Sequence, residues 1–86
     1  MKHLAEPAFW NCYYKLPKSI QQLADKNFNL LKVDVKHPSL HLKKISKDFW
    51  SVRVGIGHRA LAVEMDDGNL AWFWIGTHAE YDKLVK

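Results

Sequence analysis

Residues 49–59 read Phe-Trp-Ser-Val-Arg-Val-Gly-Ile-Gly-His-Arg, and this stretch decides the fold. Residues 49–54 alternate between two faces with a period of two, which is typical of a strand. Residues 55–57, Gly-Ile-Gly, are typical of a turn that reverses the chain at once. The stretch therefore predicts a β-hairpin, and residues 58–65 would form its second strand.

Two arginines meet in this predicted hairpin. With a three-residue loop, Val54 pairs with His58 and Arg53 lies directly opposite Arg59. Like charges at such a position destabilise the pairing unless something negative is bound between them. A slip by one residue would instead pair Arg53 with His58. Either register predicts a cationic site at one end of a sheet, which suits a phosphate group.

Size and composition narrow the class of protein. The chain of 86 residues is expected to form a single domain over residues 1–86 with an aromatic core, since it has four Trp, four Phe and three Tyr. The single cysteine, Cys12, excludes an internal disulfide and a multi-cysteine zinc site, and the five histidines are not spaced as a zinc set. We expect no metal and no cofactor. No signal peptide or membrane span is recognisable, so we expect a cytoplasmic protein without a membrane partner. The net charge of +4 favours an anionic partner, either nucleic acid or an acidic protein.

Two helices are predicted before the hairpin. Residues 1–6 suit an edge strand, and Pro7 suits the first turn of a helix with an aromatic stripe that ends at Tyr14. A second helix starts after Leu16-Pro17 and is expected to run to about Lys36, which makes a helical hairpin.

The remaining strands follow from turn signals. Residues 40–46 are expected to form a strand that places Lys44 opposite Ser51, whereas a slip would put Lys43 there. Asp67-Gly68 is the strongest hairpin turn signal in the chain. With it as the loop, the predicted pairs are Met65 with Leu70, Val63 with Trp72, Leu61 with Trp74 and Arg59 with Gly76.

This register sorts the sheet into two faces. The apolar face, which we expect the two helices to cover, comprises Trp50, Val52, Val54, Ala60, Ala62, Phe73 and Ile75. The opposite face is half apolar and half cationic and comprises Ser51, Arg53, Arg59, Leu61, Val63, Trp72 and Trp74. Such a face predicts that the C-terminal segment, a protein partner or a nucleic acid covers part of it.

The C-terminal segment begins with a capping box. Residues 77–80 read Thr-His-Ala-Glu, so Thr77 and Glu80 can satisfy each other's backbone N–H groups. The short helix that follows can lie on the sheet with His78 close to Arg59. The predicted fold class is therefore α+β: two N-terminal helices packed on a small, mainly antiparallel sheet of about four strands, with a short C-terminal helix.

The expected cationic group consists of Arg53, Arg59, His78 and one of the two strand lysines. Such a group suits RNA cleavage by attack of the 2′-hydroxyl on the adjacent phosphate, a reaction that needs no metal. Arg53 and Arg59 would stabilise the charge on the phosphoryl oxygens. His78 is the best acid or base by its ordinary pKa, and Tyr81 or a lysine is the reserve. In the alternative interpretation, His78 is an ordinary first-turn residue and both arginines form surface ion pairs with Glu64, Asp48 or Glu80.

Four stretches, spread over nearly the whole chain, carry a family likeness: residues 14–17 (Tyr-Lys-Leu-Pro), residues 37–40 (His-Pro-Ser-Leu), residues 50–55 followed by 58–61, and residues 74–84. Together they resemble the RelE/ParE superfamily of bacterial toxins, the toxin halves of type II toxin–antitoxin systems. The resemblance implies the α+β fold described above.

The resemblance also implies an activity. Most toxins on the RelE side are ribosome-dependent, metal-independent endoribonucleases that cut messenger RNA, whereas the ParE side inhibits DNA gyrase. By position, Arg53 and Arg59 match the strand arginines that hold the scissile phosphate, and Lys43 and Lys44 match the basic strand lysines. RelE-type toxins often carry an arginine and a tyrosine near the C-terminus, where this chain has His78 and Tyr81. The basic C-terminal segment of ParE-type toxins is absent, which favours the ribonuclease.

The implied partners are a cognate antitoxin, the ribosome with its messenger RNA, and operator DNA bound through the antitoxin complex. The antitoxin would wrap the toxin and neutralise its basic site, and the face that carries Trp72 and Trp74 is its expected landing place. Three functions stay open at this point: an endoribonuclease that inhibits translation, a gyrase inhibitor, and a non-catalytic regulator that binds only antitoxin and DNA.

Overall fold

A five-stranded mixed sheet with helices on both faces organises residues 2–85, the part of the chain that the computed structural model describes. The elements are β1 (His3–Ala5), α1 (Pro7–Tyr13), α2 (Lys18–Val33), β2 (Lys43–Lys44), β3 (Phe49–Val54), β4 (His58–Glu64), β5 (Leu70–Thr77) and α3 (His78–Val85). The strand order is β1-β5-β4-β3-β2, and β1 alone is parallel to its neighbour. The predicted α+β class is confirmed, and the edge strand predicted within residues 1–6 is present as β1, which brings the sheet to five strands rather than about four.

The β3–β4 hairpin has the register predicted for a three-residue loop. Val54 pairs with His58, and Arg53 lies opposite Arg59. Helix α2 packs against this end of the hairpin: a Cβ built at Gly55 would lie 2.7 Å from Cδ2 of Leu23, so a larger residue would require the Leu23 side chain to shift. The turn thus fixes the arginine pair, and its glycine at residue 55, with φ 64°, leaves room for Leu23 of α2.

Helix α2 ends at Val33, three residues before the predicted end at Lys36. Asp34 leaves the helical conformation with φ −153°, and its N–H still donates to the carbonyl of Leu30 over 2.7 Å. The Asp34 carboxylate then accepts the backbone N–H of Lys36 at 3.2 Å. Asp34 therefore stops the helix through a local bond that competes with the helical ladder.

The strand predicted over residues 40–46 is reduced to β2, Lys43–Lys44. A short 3-10 turn at Pro38–Leu40 and the left-handed backbone of His41, with φ 46°, occupy the residues before it. Lys43 lies opposite Ser51 and Lys44 opposite Trp50, so the expected pairing of Lys44 with Ser51 is wrong and the alternative slipped register is present. Lys43, not Lys44, shares a face with the arginines.

The β4–β5 hairpin contains a change of register that the turn signal did not predict. Its loop has three residues: Gly68, with φ 83°, donates its N–H to Met65, and Met65 donates to Asn69. Pairing is therefore offset by one residue near the turn, and a β-bulge at Phe73 restores the predicted register beyond it. The pairs Leu61–Trp74 and Arg59–Gly76 are as predicted, whereas Met65–Leu70 and Val63–Trp72 are wrong.

The bulge exchanges two aromatic side chains between the faces. Trp72 pairs with Ala62, is 2% exposed in the core and donates from Nε1 to Nδ1 of His3 over 3.1 Å. Phe73 turns to the opposite face and meets the ring of Phe49 edge-on at 5.9 Å. The predicted places of Trp72 and Phe73 are therefore reversed. Trp72 has almost no exposed surface that a partner could contact.

The core lies between the helices α1 and α2 and the apolar face of the sheet. Its buried side chains are Phe9, Tyr13, Ala24, Leu31, Leu40, Val52, Val54, Ala60, Ala62, Leu70, Trp72 and Ile75. Helix α3 packs on the other face, against β4 and β5. Within residues 2–85, no helix has the length and apolarity that crossing a membrane requires.

The bulge can be tested by the stability of two alanine variants. Trp72→Ala should lower the free energy of unfolding by about 3–5 kcal/mol, because it empties a fully enclosed site. Phe73→Ala should lower it by less, because Phe73 is only half-buried. Urea unfolding measures both values, and a larger loss for Phe73→Ala would contradict the bulge.

Candidate phosphate-binding site

Arg59 is the most unusual side chain of the sheet. It lies in β4 between Arg53 on one neighbouring strand and Gly76 on the other, and it is only 8% exposed. Its Nε and Nη1 atoms are buried and have no hydrogen-bond partner among the described residues. Buried donors are normally paired, so two unpaired nitrogen donors on one guanidinium indicate a place for an acceptor that the described residues do not supply.

Tyr81 of α3 holds this guanidinium in place. The Cζ atom of Arg59 lies 5.1 Å from the centre of the Tyr81 ring, within the range of a cation–π contact. Tyr81 is buried, and its hydroxyl is 3.4 Å from Oγ of Ser51, which is fully buried on β3. The tyrosine therefore supports Arg59 from the side of α3, with its hydroxyl directed into the sheet.

Arg53 completes the cationic pair from β3 and remains partly exposed. Its backbone carbonyl accepts Nδ2 of the buried Asn27 on α2 over 3.1 Å, which anchors the end of β3. The sequence analysis did not single out Asn27, although a lone amide among the apolar positions of α2 was a signal for such a bond.

No carboxylate oxygen of residues 2–85 lies within 4.0 Å of a guanidinium nitrogen of Arg53 or Arg59. This excludes, for that part of the chain, the alternative interpretation in which both arginines form surface ion pairs. Glu64 instead accepts Nε1 of Trp50 at 2.7 Å and lies 3.6 Å from Lys44. Lys44 therefore forms its ion pair on the face that α1 and α2 cover and is separated from the arginines, whereas Lys43 lies exposed on the arginine face.

The predicted capping box is present at the start of α3. The N–H of Glu80 donates to Oγ1 of Thr77 at 3.2 Å, and the N–H of Thr77 donates to the Glu80 carboxylate at 2.9 Å. These bonds from the backbone and hydroxyl of Thr77 lower the pKa of Glu80. The cap keeps this carboxylate charged and engaged with Thr77.

His78 is the first residue of α3 and stands at the β3–β4 turn. Its backbone N–H donates to the carbonyl of Gly57 over 2.9 Å. Its half-exposed imidazole lies 6.0 Å from the Tyr81 ring and places Nδ1 at 3.1 Å from Asp82 Oδ2. This contact leaves Nε2 as the open ring atom. The sequence analysis missed Asp82, although its spacing of four residues from His78 on a helix was the available signal.

The structure therefore brings together four of the predicted site residues, Arg53, Arg59, His78 and Tyr81, with Lys43 on the same face. Lys44 and Trp72 lie on the other face. In the part of the chain described, no three His, Cys, Asp or Glu side chains are grouped so that they could hold a metal ion.

An apolar groove of about 470 Å³ lies beside this cationic group, between α3 and the β2–β3 hairpin. It is lined by Ile45, Ser46, Phe49, Leu61, Phe73, Tyr81, Leu84 and Val85. Phe49 and Leu84 are exposed although they are apolar. Helix α3 thus covers only part of the half-apolar, half-cationic face, which we call the mixed face. Tyr81 belongs to both the groove and the arginine site.

Comparison with known proteins identifies the fold. No protein-family model matches the sequence, and no curated protein matches it either. Among solved structures, a YoeB/ParE toxin from Agrobacterium tumefaciens superposes with a TM-score of 0.67 at 14% identity, covering 91% of this chain and 99% of that one. The archaeal RelE–RelB complex from Pyrococcus horikoshii matches with a TM-score of 0.68 at 13% identity, covering 88% and 92%.

A mutant of the E. coli toxin RelE in the free state also matches, with a TM-score of 0.67 at 13% identity over 96% of this chain and 87% of that one. The chain therefore has the fold of the RelE, YoeB and ParE toxins, as the sequence resemblance implied.

The anion site can be tested on the purified protein. Arg59→Met should raise the free energy of unfolding by about 1 kcal/mol, because an unpartnered buried polar group costs about 1–3 kcal/mol. Inorganic phosphate should raise the thermal midpoint of the parent protein, because it binds the folded state, and should not raise that of Arg59→Met. Lys26→Met, which removes an exposed cation on α2, is the matched control. Equal stabilisation of the parent and Arg59→Met by phosphate would contradict the site.

Proposed function

We propose that this protein is the toxin of a type II toxin–antitoxin system and acts as a ribosome-dependent, metal-independent endoribonuclease that cleaves messenger RNA and so inhibits translation. The observation that carries the proposal is Arg59, a buried guanidinium with two open N–H groups and no carboxylate within ion-pair distance among the described residues. The RelE-like fold supports it, since solved structures that share this fold include toxins.

The proposed reaction is attack of a ribose 2′-hydroxyl on the adjacent phosphate. The 2′-oxygen forms a bond to phosphorus, the bond to the 5′-oxygen of the next nucleotide breaks, and a cyclic phosphate and a 5′-hydroxyl result. Negative charge builds on the phosphoryl oxygens during this step, and Arg53 and Arg59 are placed to stabilise it. The Tyr81 ring holds the guanidinium of Arg59 in place beforehand, and a shift of the side chains that enclose Nε and Nη1 would let phosphate reach these donors.

Two proton transfers accompany this attack, one from the 2′-hydroxyl and one to the leaving 5′-oxygen. We assign one of them to Nε2 of His78, since Nδ1 faces Asp82 and the imidazole is exposed at the edge of the cationic group. Tyr81 has a different part in this proposal: its buried hydroxyl faces Ser51, so it positions Arg59 with its ring. Lys43, exposed on the same face, would bind a neighbouring phosphate of the RNA.

The first test is primer-extension mapping of messenger RNA in bacteria after brief induction of the protein. The parent should produce cuts in phase with codons. Arg59→Gln should slow cleavage by about 100-fold or more, because removal of one transition-state donor costs about 10²–10³ in rate. Lys43→Ala should reduce cleavage, whereas Lys44→Ala, the matched control from the paired lysine, should not.

Circular dichroism must first show that each variant is folded. Growth arrest with intact messages would contradict the ribonuclease and favour a gyrase inhibitor, which a DNA-damage response would identify. Intact messages with normal growth would leave a non-catalytic regulator that binds antitoxin and DNA.

We further propose that the cognate antitoxin occupies the apolar groove beside α3, together with the adjoining cationic group. A RelE–RelB complex is among the solved structures that share the fold. The groove has exposed apolar side chains, including Phe49 and Leu84, and such surfaces mark protein–protein contacts. This site replaces the expected one at Trp72, which is buried in the core.

Leu84→Asp should weaken antitoxin binding at least tenfold, because it puts a charge into an apolar contact. Trp10→Asp is the control, since Trp10 is also exposed but lies on α1, across the sheet from the groove. Isothermal titration calorimetry with the cognate antitoxin measures both affinities. Unchanged affinity of Leu84→Asp would place the antitoxin elsewhere.

A further inference from the structure

The indole of Trp74 lies over the backbone of Gly76, two residues further along the same face of β5. A Cβ built at Gly76 would lie 2.5 Å from Cζ2 and 2.9 Å from Cη2 of the indole. Real side chains do not approach so closely, so the ring can occupy this position only because residue 76 is glycine. Glycine is thus required by the placement of the ring, and the ring is kept at this end of the sheet.

This placement brings the indole beside Arg59. Arg59 and Gly76 lie directly opposite each other on β4 and β5, where side-chain origins are about 4.5–5.5 Å apart. The six-membered ring of Trp74 therefore lies next to the point on the sheet from which the Arg59 side chain extends. Phosphate held by Arg59 would have an aromatic ring next to it.

The ring is also accessible. Strand β1 pairs with β5 only as far as Trp72, so within residues 2–85 no strand flanks the outer side of β5 at Trp74. Trp74 is only partly buried, in contrast to Trp72. The carboxylate of Glu80 reaches the same point, 2.8 Å from the Cβ built at Gly76, and its bonds to Thr77 hold it there. Glu80 therefore limits the space on the side of α3 and leaves the outer side open.

We infer that Trp74 is a base-binding platform: it stacks on a nucleobase of single-stranded RNA next to the phosphate that Arg59 holds. This inference rests on the proposed function, because it takes the anion at Arg59 to be an RNA phosphate. Aromatic side chains that flank a cationic groove bind bases in this way, and stacking tolerates any base because every base has a π face. Trp74 thereby selects single-stranded RNA over a free phosphate or a paired duplex, in which the base faces are covered.

The experiment compares two short RNA probes with 2′-O-methyl groups, which cannot be cleaved by 2′-hydroxyl attack. One is a fluorescently labelled pentanucleotide, and the other is the same chain without its central base. Fluorescence anisotropy measures their affinity for the parent protein and for the variants Trp74→Leu, Trp74→Phe and Arg59→Gln. Trp10→Leu, which removes an exposed tryptophan on the other side of the sheet, is the matched control.

The parent should bind the complete probe about tenfold more tightly than the abasic probe, a ratio in the range of one stacked base. Trp74→Leu should abolish that ratio while keeping the affinity for the abasic probe, and Trp74→Phe and Trp10→Leu should retain the ratio. Arg59→Gln should weaken the binding of both probes.

Equal affinity of the parent for the two probes, absence of binding to either, or an unchanged ratio in Trp74→Leu would overturn the platform. Failure of the proposed function looks different. If Arg59→Gln bound both probes as tightly as the parent does, Arg59 would not bind the phosphate, even if Trp74 stacks on a base. The mapping of messenger RNA tests separately whether the protein is a ribonuclease.

Discussion

The charge of Arg59 is the constraint around which this end of the protein is built. A guanidinium that is nearly removed from water, opposite a second arginine and without a carboxylate partner among the described residues, is unfavourable in the free protein. Among the described residues, the ring of Tyr81 compensates this charge in part, through the cation–π contact. Such an arrangement is expected where binding of an anion, rather than stability of the free fold, determines the choice of residue.

Both helical layers contribute to keeping this strained pair in place. From one face, α2 packs Leu23 on Gly55 and bonds Asn27 to the carbonyl of Arg53. From the other face, α3 starts with the His78 N–H on the carbonyl of Gly57. The β3–β4 turn therefore lies between two helices that approach it from opposite sides, and the arginines on either side of the turn have little freedom to move apart. Rigid positioning of this kind is what catalysis by charge stabilisation requires.

The parts of this arrangement that follow from local rules could be predicted from the sequence. The strand alternation around Arg53, the three-residue turn and the capping box each depend on residues close together in the chain, and all are present as expected. The two registers that failed depend on something else. Lys43 replaced Lys44 because Ile45 donates its N–H to the carbonyl of Phe49, so the loop between β2 and β3 has three residues rather than two. Trp72 and Phe73 exchanged faces because the loop at Gly68 has three residues and a bulge absorbs the extra one. Period-two patterns cannot reveal a bulge in a strand that is apolar on both faces, since either residue satisfies either side.

The wrong assignment of Trp72 and Phe73 to the two faces affects the choice of functional residues, because the face decides which aromatic side chains a partner can reach. With Trp72 in the core, the accessible aromatics of the mixed face are Phe49, Phe73 and Trp74, and they fall into two groups. Phe49 and Phe73 line the groove, whereas Trp74 folds over Gly76 beside Arg59. Tyr81 connects the two groups, because it lines the groove and its ring also contacts the guanidinium of Arg59. A protein that entered the groove and shifted α3 would remove the contact that supports Arg59. Under the proposed function, antitoxin binding would then weaken the phosphate site through Tyr81.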